Sequence, residues 1–375
     1  MHMEHSTNVR HPRRWTGVIA LTLGLVAAGC GGDSDAADTS PAGDGTTTTA
    51  AGPGVDYGAL TATLNGSGAS FQDTLQQTVI GEFAEVAPGA TVNYTKSGSS
   101  AGKKDLANGT VQFAGTDSLI EDEERSTFTG GEVLYFPIAA APITVAYNLP
   151  GVDELRLSAD VIAGIFQAEI TTWDDAAIAA ANPDASLPPT PITVVHRSDG
   201  SGTTNNFTKY LTKAAPSTWK LKSGDTVEWP ASTQGAEKNS GVATMVSSTS
   251  GAIGYVDLAD AAAEELSIAK VKNAAGKYVS AQLPGASAAL AGADIADDLT
   301  YDPLDAEGDE AYPITAPTWV IVYARQTDQD VADTLVGYLS FVLTKGQELA
   351  PTVGYAPLPD ALLARAIDQL DRIST

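Results

Sequence analysis

Four short runs of small polar residues are where this chain could do chemistry. They are Gly66-Ser67-Gly68-Ala69-Ser70-Phe71, Lys96-Ser97-Gly98-Ser99-Ser100-Ala101-Gly102, Thr116-Asp117-Ser118 and Arg197-Ser198-Asp199-Gly200-Ser201-Gly202-Thr203. Each follows an apolar run that reads as a strand. Three lead into helical patterns, and the other leads into the acidic segment Glu121-Asp122-Glu123-Glu124, which suits a helix N-terminus. A helix start offers unpaired backbone N–H groups and the positive end of a helix dipole. Gly lets an oxyanion approach the backbone, and Ser or Thr adds hydroxyl donors. One such start is ordinarily an N-cap, a role to which Ser70 is suited. Four together make a cage for an anion. Asp117 places a carboxylate where the other starts have hydroxyls, and Arg197 brings one positive charge.

The elements that must position these residues alternate. Residues 90–94, 110–115, 192–196, 252–256 and 318–324 read as strands, and a further strand should precede Gly66. Residues 71–86, 158–167, 203–214, 331–346 and 359–370 read as helices. Alternation of this kind predicts an α/β protein with mostly parallel sheets. Pro150-Gly151 and Pro188-Pro189 divide the chain into blocks. Residues 281–310, rich in Ala, Asp and Gly, read as a surface insertion.

Composition narrows the function. The 375 residues carry a net charge of −25, which repels nucleic-acid phosphates and anionic lipid heads. No nucleic-acid partner is expected. One Cys permits no intramolecular disulfide and no zinc cluster, and three of the four His lie in the first eleven residues, leaving His196 alone. No metal and no cofactor are expected.

The first thirty residues read as an address. Arg10, Arg13 and Arg14 precede an uncharged run from Trp15 to Ala28, and Ala27-Ala28-Gly29-Cys30 follows the small-residue pattern of a cleavage point. Fourteen residues fall short of the ~20 that span a bilayer. The tetrapeptide resembles a bacterial lipobox, with Ala27 where Leu is commoner, so residues 1–29 are expected to be a lipoprotein signal peptide and Cys30 the lipidated residue. Loss of residues 1–29 removes three Arg and one Glu and leaves a charge of −27. Residues 31–56 contain one large aliphatic side chain, Val55, and cannot bury a core. As a flexible coil this tether would span roughly 28 Å.

The blocks GSGASF (66–71), NYTKSGSSAG (93–102), FAGTDS (113–118), WDDAAIAAANP (173–183), HRSDGSGTTNNFTKYL (196–211) and GAIGYVD (251–257) resemble the phosphate-binding lipoproteins of bacterial phosphate ABC transporters, the PstS family. The resemblance runs from about residue 60 to 260, with a weaker match at YPITAPTWVIVYA (312–324), and RSDGSGTT is its most specific piece. It implies a type II periplasmic-binding-protein-like fold: two α/β lobes, a ligand cleft between them, and two hinge-crossing strands near 140–147 and 255–259. Residues 30–57 would be lipidated Cys and linker, 58–145 with 256–375 lobe I, and 146–255 lobe II. The resemblance also implies an extracytoplasmic protein, lipid-anchored to the cytoplasmic membrane, that delivers inorganic phosphate to a permease pair driven by an ATPase. Its chemistry would be binding and not catalysis.

By that resemblance Ser70, the backbone N–H of Phe71 and Ser99 would hold phosphate from one lobe, and Ser201, Gly202 and Thr203 from the other. Arg197 would add a charge-assisted hydrogen bond, oriented by Asp199, and Asp117 would accept a proton from the ligand. Phosphate near neutral pH has such a proton and sulfate has none, so Asp117 would select against sulfate. Two departures stand out. Residues 166–173, Phe-Gln-Ala-Glu-Ile-Thr-Thr-Trp, lack the family's Gly-rich stretch, and His196 stands where another basic or polar residue is usual.

Other chemistries fit less of the chain. Gly98-Ser99-Ser100-Ala101-Gly102 matches the G-x-S-x-G of a hydrolase elbow, with Ser100 as nucleophile, His196 as base and Asp117 or Asp160 as acid, but no oxyanion-hole motif lies upstream. A receptor for another tetrahedral oxyanion, sulfate-like, shares the cage but not the use of Asp117. Trp173, Trp219, Trp229 and Trp319 could line a groove, though core packing suits them better.

Overall fold

A computed structural model of the protein describes residues 54–375; the leader, Cys30 and nearly all of the tether lie outside them. The described chain opens with β1 (Thr63–Gly68), α1 (Asp73–Val86), β2 (Thr91–Thr95), α2 (Ser99–Ala107) and β3 (Phe113–Thr116). A short α3 (Asp122–Arg125) then leads to the long β4 (Val133–Asn148). Next come β5 (Arg156–Leu157), α4 (Ala159–Phe166), α5 (Ala176–Ala181), β6 (Thr193–Arg197), α6 (Gly202–Ala214), β7 (Gln234–Ala236), α7 (Lys238–Ser248) and β8 (Ala252–Asp257). The remainder is α8 (Leu258–Ala263), β9 (Ser267–Ile268), β10 (Lys270–Lys272), β11 (Tyr278–Val279), α9 (Leu283–Ala291), β12 (Thr315–Tyr323), α10 (Gln329–Leu343), α11 (Lys345–Leu349) and α12 (Asp360–Asp368).

One sheet runs β2-β1-β3-β12-β4-β8-β6-β7, with β9 beside β4. β1 pairs in parallel with β2 and β3, and β6 in parallel with β7 and β8. Between these parallel trios the centre is antiparallel, since β12 opposes both β3 and β4, and β4 opposes β8. The mostly parallel sheet expected from the sequence therefore holds for each trio and fails at the centre.

β4 joins the two trios. Its residues Val133–Pro142 pair with β12 and Ile143–Asn148 with β8. A nearly unbroken apolar run with two prolines is a poor signature for a central strand, because Pro cannot donate to a ladder. Here Pro137 flanks a register shift opposite Thr318 and Trp319, and Pro142 stands where the strand changes partner. After β8 the chain stays beside this second stretch, because β9 pairs with Ala146 and Tyr147, and β10 pairs with β5.

The helices bury one face each. On α1 and the turn before it, Phe71, Leu75, Val79 and Phe83 recur at helical spacing and are fully buried. Phe83 meets Tyr338 of α10 edge-on at 5.3 Å. In the other half Phe207 of α6 stacks on Tyr255 of β8 at 4.4 Å, and Phe166 of α4 closes on Phe207 at 4.8 Å. Residues 281–310 are not a loose surface insertion: Leu290, Leu299, Tyr301 and Leu304 are buried, and Trp319 Nε1 donates to Leu299 O at 3.1 Å. The Ala-rich face of α9 carries too little hydrophobic contrast to announce itself in the sequence. No helix among the described residues is long and apolar enough to cross a membrane.

Candidate oxyanion site

Parallel strands deliver the four polar runs to one place. β2, β1 and β3 are neighbours, so the residues after their C-terminal ends, Ser99, Ser70 and Asp117, emerge side by side. β6 and β7 do the same for Arg197 and for Lys238-Asn239. The C-terminal edge of parallel strands is where open α/β sheets place ligands. Glycines let the backbones meet there. Gly68 has φ +141 and a Cβ on it would lie 2.0 Å from Gly115 O; Gly98 has φ +97 and its Cβ would lie 2.7 Å from Gly200 O.

Ser99, Asp117 and Gly202 converge. Asp117 N donates to Ser99 Oγ at 3.3 Å, and Ser99 Oγ lies 3.5 Å from Asp117 Oδ2. A Cβ on Gly202 would stand 2.6 Å from Ser99 Oγ and 2.8 Å from Asp117 Cβ. Asn206, one turn along α6, donates to Asp117 O at 2.5 Å. Ser201 caps α6 by accepting from Thr204 N at 3.1 Å. Ser70 does not cap α1, contrary to expectation. It begins a one-turn 3₁₀ segment, Ser70–Gln72, and its Oγ instead accepts from Asn239 N at 3.2 Å. The Phe71 ring is buried and its carbonyl accepts from Tyr355 OH at 2.6 Å.

Asn239 is the residue that sequence reasoning missed. Its Nδ2 donates to Thr203 Oγ1 at 3.2 Å and to Asp257 Oδ2 at 2.7 Å, while its Oδ1 accepts from Arg197 Nη1 at 2.6 Å. It thereby ties Ser70, Arg197 and Thr203 together. The signal was present, since Glu237-Lys238-Asn239-Ser240 is a fifth polar helix start, but the three-residue β7 before it is too short for periodicity to reveal. Thr318 and Asp225 were missed as well; Thr318 lies in an apolar strand, and the polar run Ser223-Gly224-Asp225-Thr226 opens no helix.

Charge is confined by partners. Arg197 is 3% exposed; its Nε and Nη2 donate to Asp199 Oδ1 and Oδ2, each at 2.7 Å, the bidentate pairing expected of Asp199. Lys238 Nζ adds a 2.9 Å contact to Asp199. Burial opposes ionisation of Asp199, yet the hydrogen bond and charge of Arg197 and the hydrogen bonds from Lys238 outweigh it and hold this carboxyl well below the usual range. Asp117 behaves oppositely. Burial pushes it up to about 7 against the hydrogen bond from Thr318 and the charge of Arg197. Burial likewise raises Asp257, and burial together with the neighbouring Asp257 carboxylate pushes the half-buried Asp260 up to about 8.

The PBP superfamily domain matches residues 37–345. The chain is 33% identical over 352 residues to the phosphate-binding protein PstS of Xylella fastidiosa, covering 92% of this chain and 94% of that one. This chain belongs to the PstS family. PstS 3 of Mycobacterium tuberculosis is similar at 32% identity over 368 residues, 96% of this chain and 97% of its own. A solved structure described as a high affinity periplasmic phosphate-binding protein bound with phosphate matches with TM-score 0.69 at 24% identity, over 80% of this chain and 92% of that one. That likeness is one of fold, the two-lobe periplasmic-binding-protein architecture.

As a PstS-family chain it is a binding protein and not an enzyme, and the side chains of the hydrolase reading are otherwise engaged. Ser100 Oγ donates to Asp225 Oδ2 at 2.7 Å and not to His196. His196 stacks on Trp229 with centroids 4.9 Å apart, and its Nδ1 lies 2.9 Å from Arg197 O. Burial lowers the His196 pKa, which suits a satisfied strand-end residue. Among the described residues no group of His, Cys, Asp and Glu is disposed to hold a metal. Trp173, Trp219 and Trp319 are buried in the core, and Trp229 packs against it.

Proposed function

We infer that this chain binds inorganic phosphate outside the cytoplasm and delivers it to a phosphate ABC transporter. The observation that carries the reading is Asp117: a buried carboxylate beside hydroxyls, helix starts and one arginine already neutralised by Asp199. Such a site repels an anion unless the anion brings a proton to share. Phosphate does so near neutral pH. Sulfate does not, and a buried polar group left without its partner can cost a competing ligand a factor of about 10⁴ or more.

In this reading Ser70, the Phe71 N–H and Ser99 bind phosphate from lobe I, and Ser201, Gly202, Thr203 and Arg197 bind it from lobe II, with Asp199 orienting Arg197 and Asp117 accepting the ligand's proton. Helix dipoles and hydrogen bonds solvate the anion in a protein whose net charge is strongly negative. The lobes are drawn as residues 58–145 with 256–375 and residues 146–255, except that β9 and β10 travel with the second lobe through their pairing to β4 and β5, and they close by hinge motion about β4. A permease pair and its ATPase are the membrane partners, and a lipid on Cys30, which lies outside the described residues, is the anchor.

Isothermal titration of the intact chain, stripped of carried-over ligand by partial unfolding, tests the reading. At about pH 8.5, where Asp117 is mostly ionised, one-to-one heat with phosphate and none with sulfate is expected. Comparable sulfate binding would leave an oxyanion receptor and remove the role given to Asp117; heat with neither anion would remove the function.

A further inference from the structure

We propose that Asp225 is a clasp that forms when the two halves of the molecule meet, and that it sets how slowly phosphate leaves. The proposal rests on the phosphate-binding reading and adds a residue that does not touch the anion. Asp225 lies between α6 and β7. On its own half its Oδ1 accepts from Asn205 Nδ2 at 3.0 Å, and its carbonyl accepts from Ser201 N at 2.9 Å. Across the cleft its Oδ2 accepts from Ser100 Oγ at 2.7 Å and stands 3.2 Å from Lys103 Nζ, both on α2.

Lys103 makes the contact consequential. Its side chain is only 3% exposed, and its ammonium is held by Asp225, by Glu124 Oε2 at 2.8 Å and by Leu119 O at 3.1 Å. Glu124 and Leu119 follow β3 and belong to the same half as Lys103, so separating the halves removes Asp225 and leaves the other two partners in place. A buried ammonium that loses one of two carboxylates is costly. On the other flank of the α2 start, Lys238 Nζ donates to Ser97 O at 2.8 Å, so the start of α2 is gripped from both sides.

Contacts that form only on closure act after the ligand has docked. Their loss should therefore appear in dissociation and leave association nearly unchanged. Rejection of sulfate should also persist, because the charge of Asp225 helps to raise the Asp117 pKa and its loss leaves Asp117 more readily ionised.

The test is the release of bound radiolabelled phosphate into excess cold phosphate from the intact chain and its Asp225→Ala, Asp225→Asn, Ser100→Ala and Ser100→Ala/Asp225→Ala variants. Asp225→Ala is expected to speed release about thirtyfold, Ser100→Ala by less, and the double variant no more than Asp225→Ala alone. If Asp225 only organised its own half, through Asn205 and Ser201, Asp225→Ala would lower the melting temperature and the two substitutions would act independently on release. Independent effects, or unchanged release, overturn the clasp. Should Asp225→Ala not fold, unchanged release in both Asp225→Asn and Ser100→Ala overturns it equally. A wild-type chain that binds no phosphate overturns instead the reading on which the clasp stands.

Discussion

Thr318 donates its hydroxyl to Asp117 Oδ1 at 2.6 Å, joining residues 201 positions apart. Gln72 Nε2 in turn donates to Thr318 Oγ1 at 2.7 Å, which fixes the direction of that hydroxyl. One carboxylate oxygen of Asp117 is thus committed to the protein. Oδ2 has only the long 3.5 Å contact from Ser99 Oγ. The register shift in β12 falls between Thr318 and Trp319 and aims the hydroxyl at Asp117.

Asp117→Asn is expected to relax the preference for phosphate over sulfate, because an amide can donate where the carboxylate could only accept. In the wild type, acidification should do the same. The Asp117 pKa is raised to about 7 by burial, so its protonated fraction grows below that pH and can then donate to sulfate. Competition titrations between pH 5 and 8 should show residual sulfate affinity rising as pH falls in the wild type and flat in the variant. Unaltered sulfate rejection in Asp117→Asn would remove Asp117 from the selectivity argument.

Stability of the ligand-free chain should carry the same signature. A carboxyl whose folded pKa exceeds its ordinary value of 3.8 contributes stability that is fully present below 3.8 and lost as pH rises through about 7. The loss attributable to Asp117 is on the order of a few kcal/mol. Asp117→Asn should gain on the wild type in denaturant melts over that window. Parallel pH curves for the two proteins would contradict the assignment.

Arg197→Ala should weaken phosphate binding by about 1.5–3 kcal/mol, the range for a hydrogen bond to a charged group. Lys238 remains to pair with Asp199, which limits the structural damage. Calorimetric affinity equal to wild type would place Arg197 outside the binding set.

Gly202→Ala tests the convergence of helix starts directly. The added methyl would sit 2.6 Å from Ser99 Oγ. Overpacking of about 1–3 kcal/mol corresponds to roughly fivefold to 150-fold weaker phosphate binding. Helix content should not fall, since Ala is a better helix former than Gly. Wild-type affinity, measured alongside circular dichroism, would show that the halves do not close over Gly202.

Cys30→Ala should move the protein from the membrane fraction to the soluble fraction of fractionated cells. Retention in the membrane would contradict the lipid anchor.

Much of the framework was legible. Residues 90–94, 110–115, 192–196, 252–256 and 318–324 correspond to β2, β3, β6, β8 and β12, and the helices expected at 158–167, 203–214 and 359–370 correspond to α4, α6 and α12, with shifted ends. Period and turn chemistry are local properties, so a single sequence carries them. β4 was legible only as a crossing, because an apolar run containing Pro137 and Pro142 has neither period. The roles of Asn239, Thr318 and Asp225 were not legible for a different reason. Each matters through hydrogen bonds to residues far away in the chain, 42 positions for Asn239 with Arg197 and 125 for Asp225 with Ser100.

The sequence by itself determined the kinds of groups available: polar helix starts that can take an anion, with the carboxylates of Asp117 and Asp199 and the guanidinium of Arg197 among them, and an N-terminal segment that reads as an address. Those follow from residue type and nearest neighbours. Only the tertiary structure decided which of these groups share a space, which oxygen of Asp117 is spent on Thr318, and which residues bind the halves to each other. Strand order and register bring the ends of distant strands together, and the burial they create decides whether a carboxyl such as Asp117 is held above its ordinary pKa or, like Asp199, far below it.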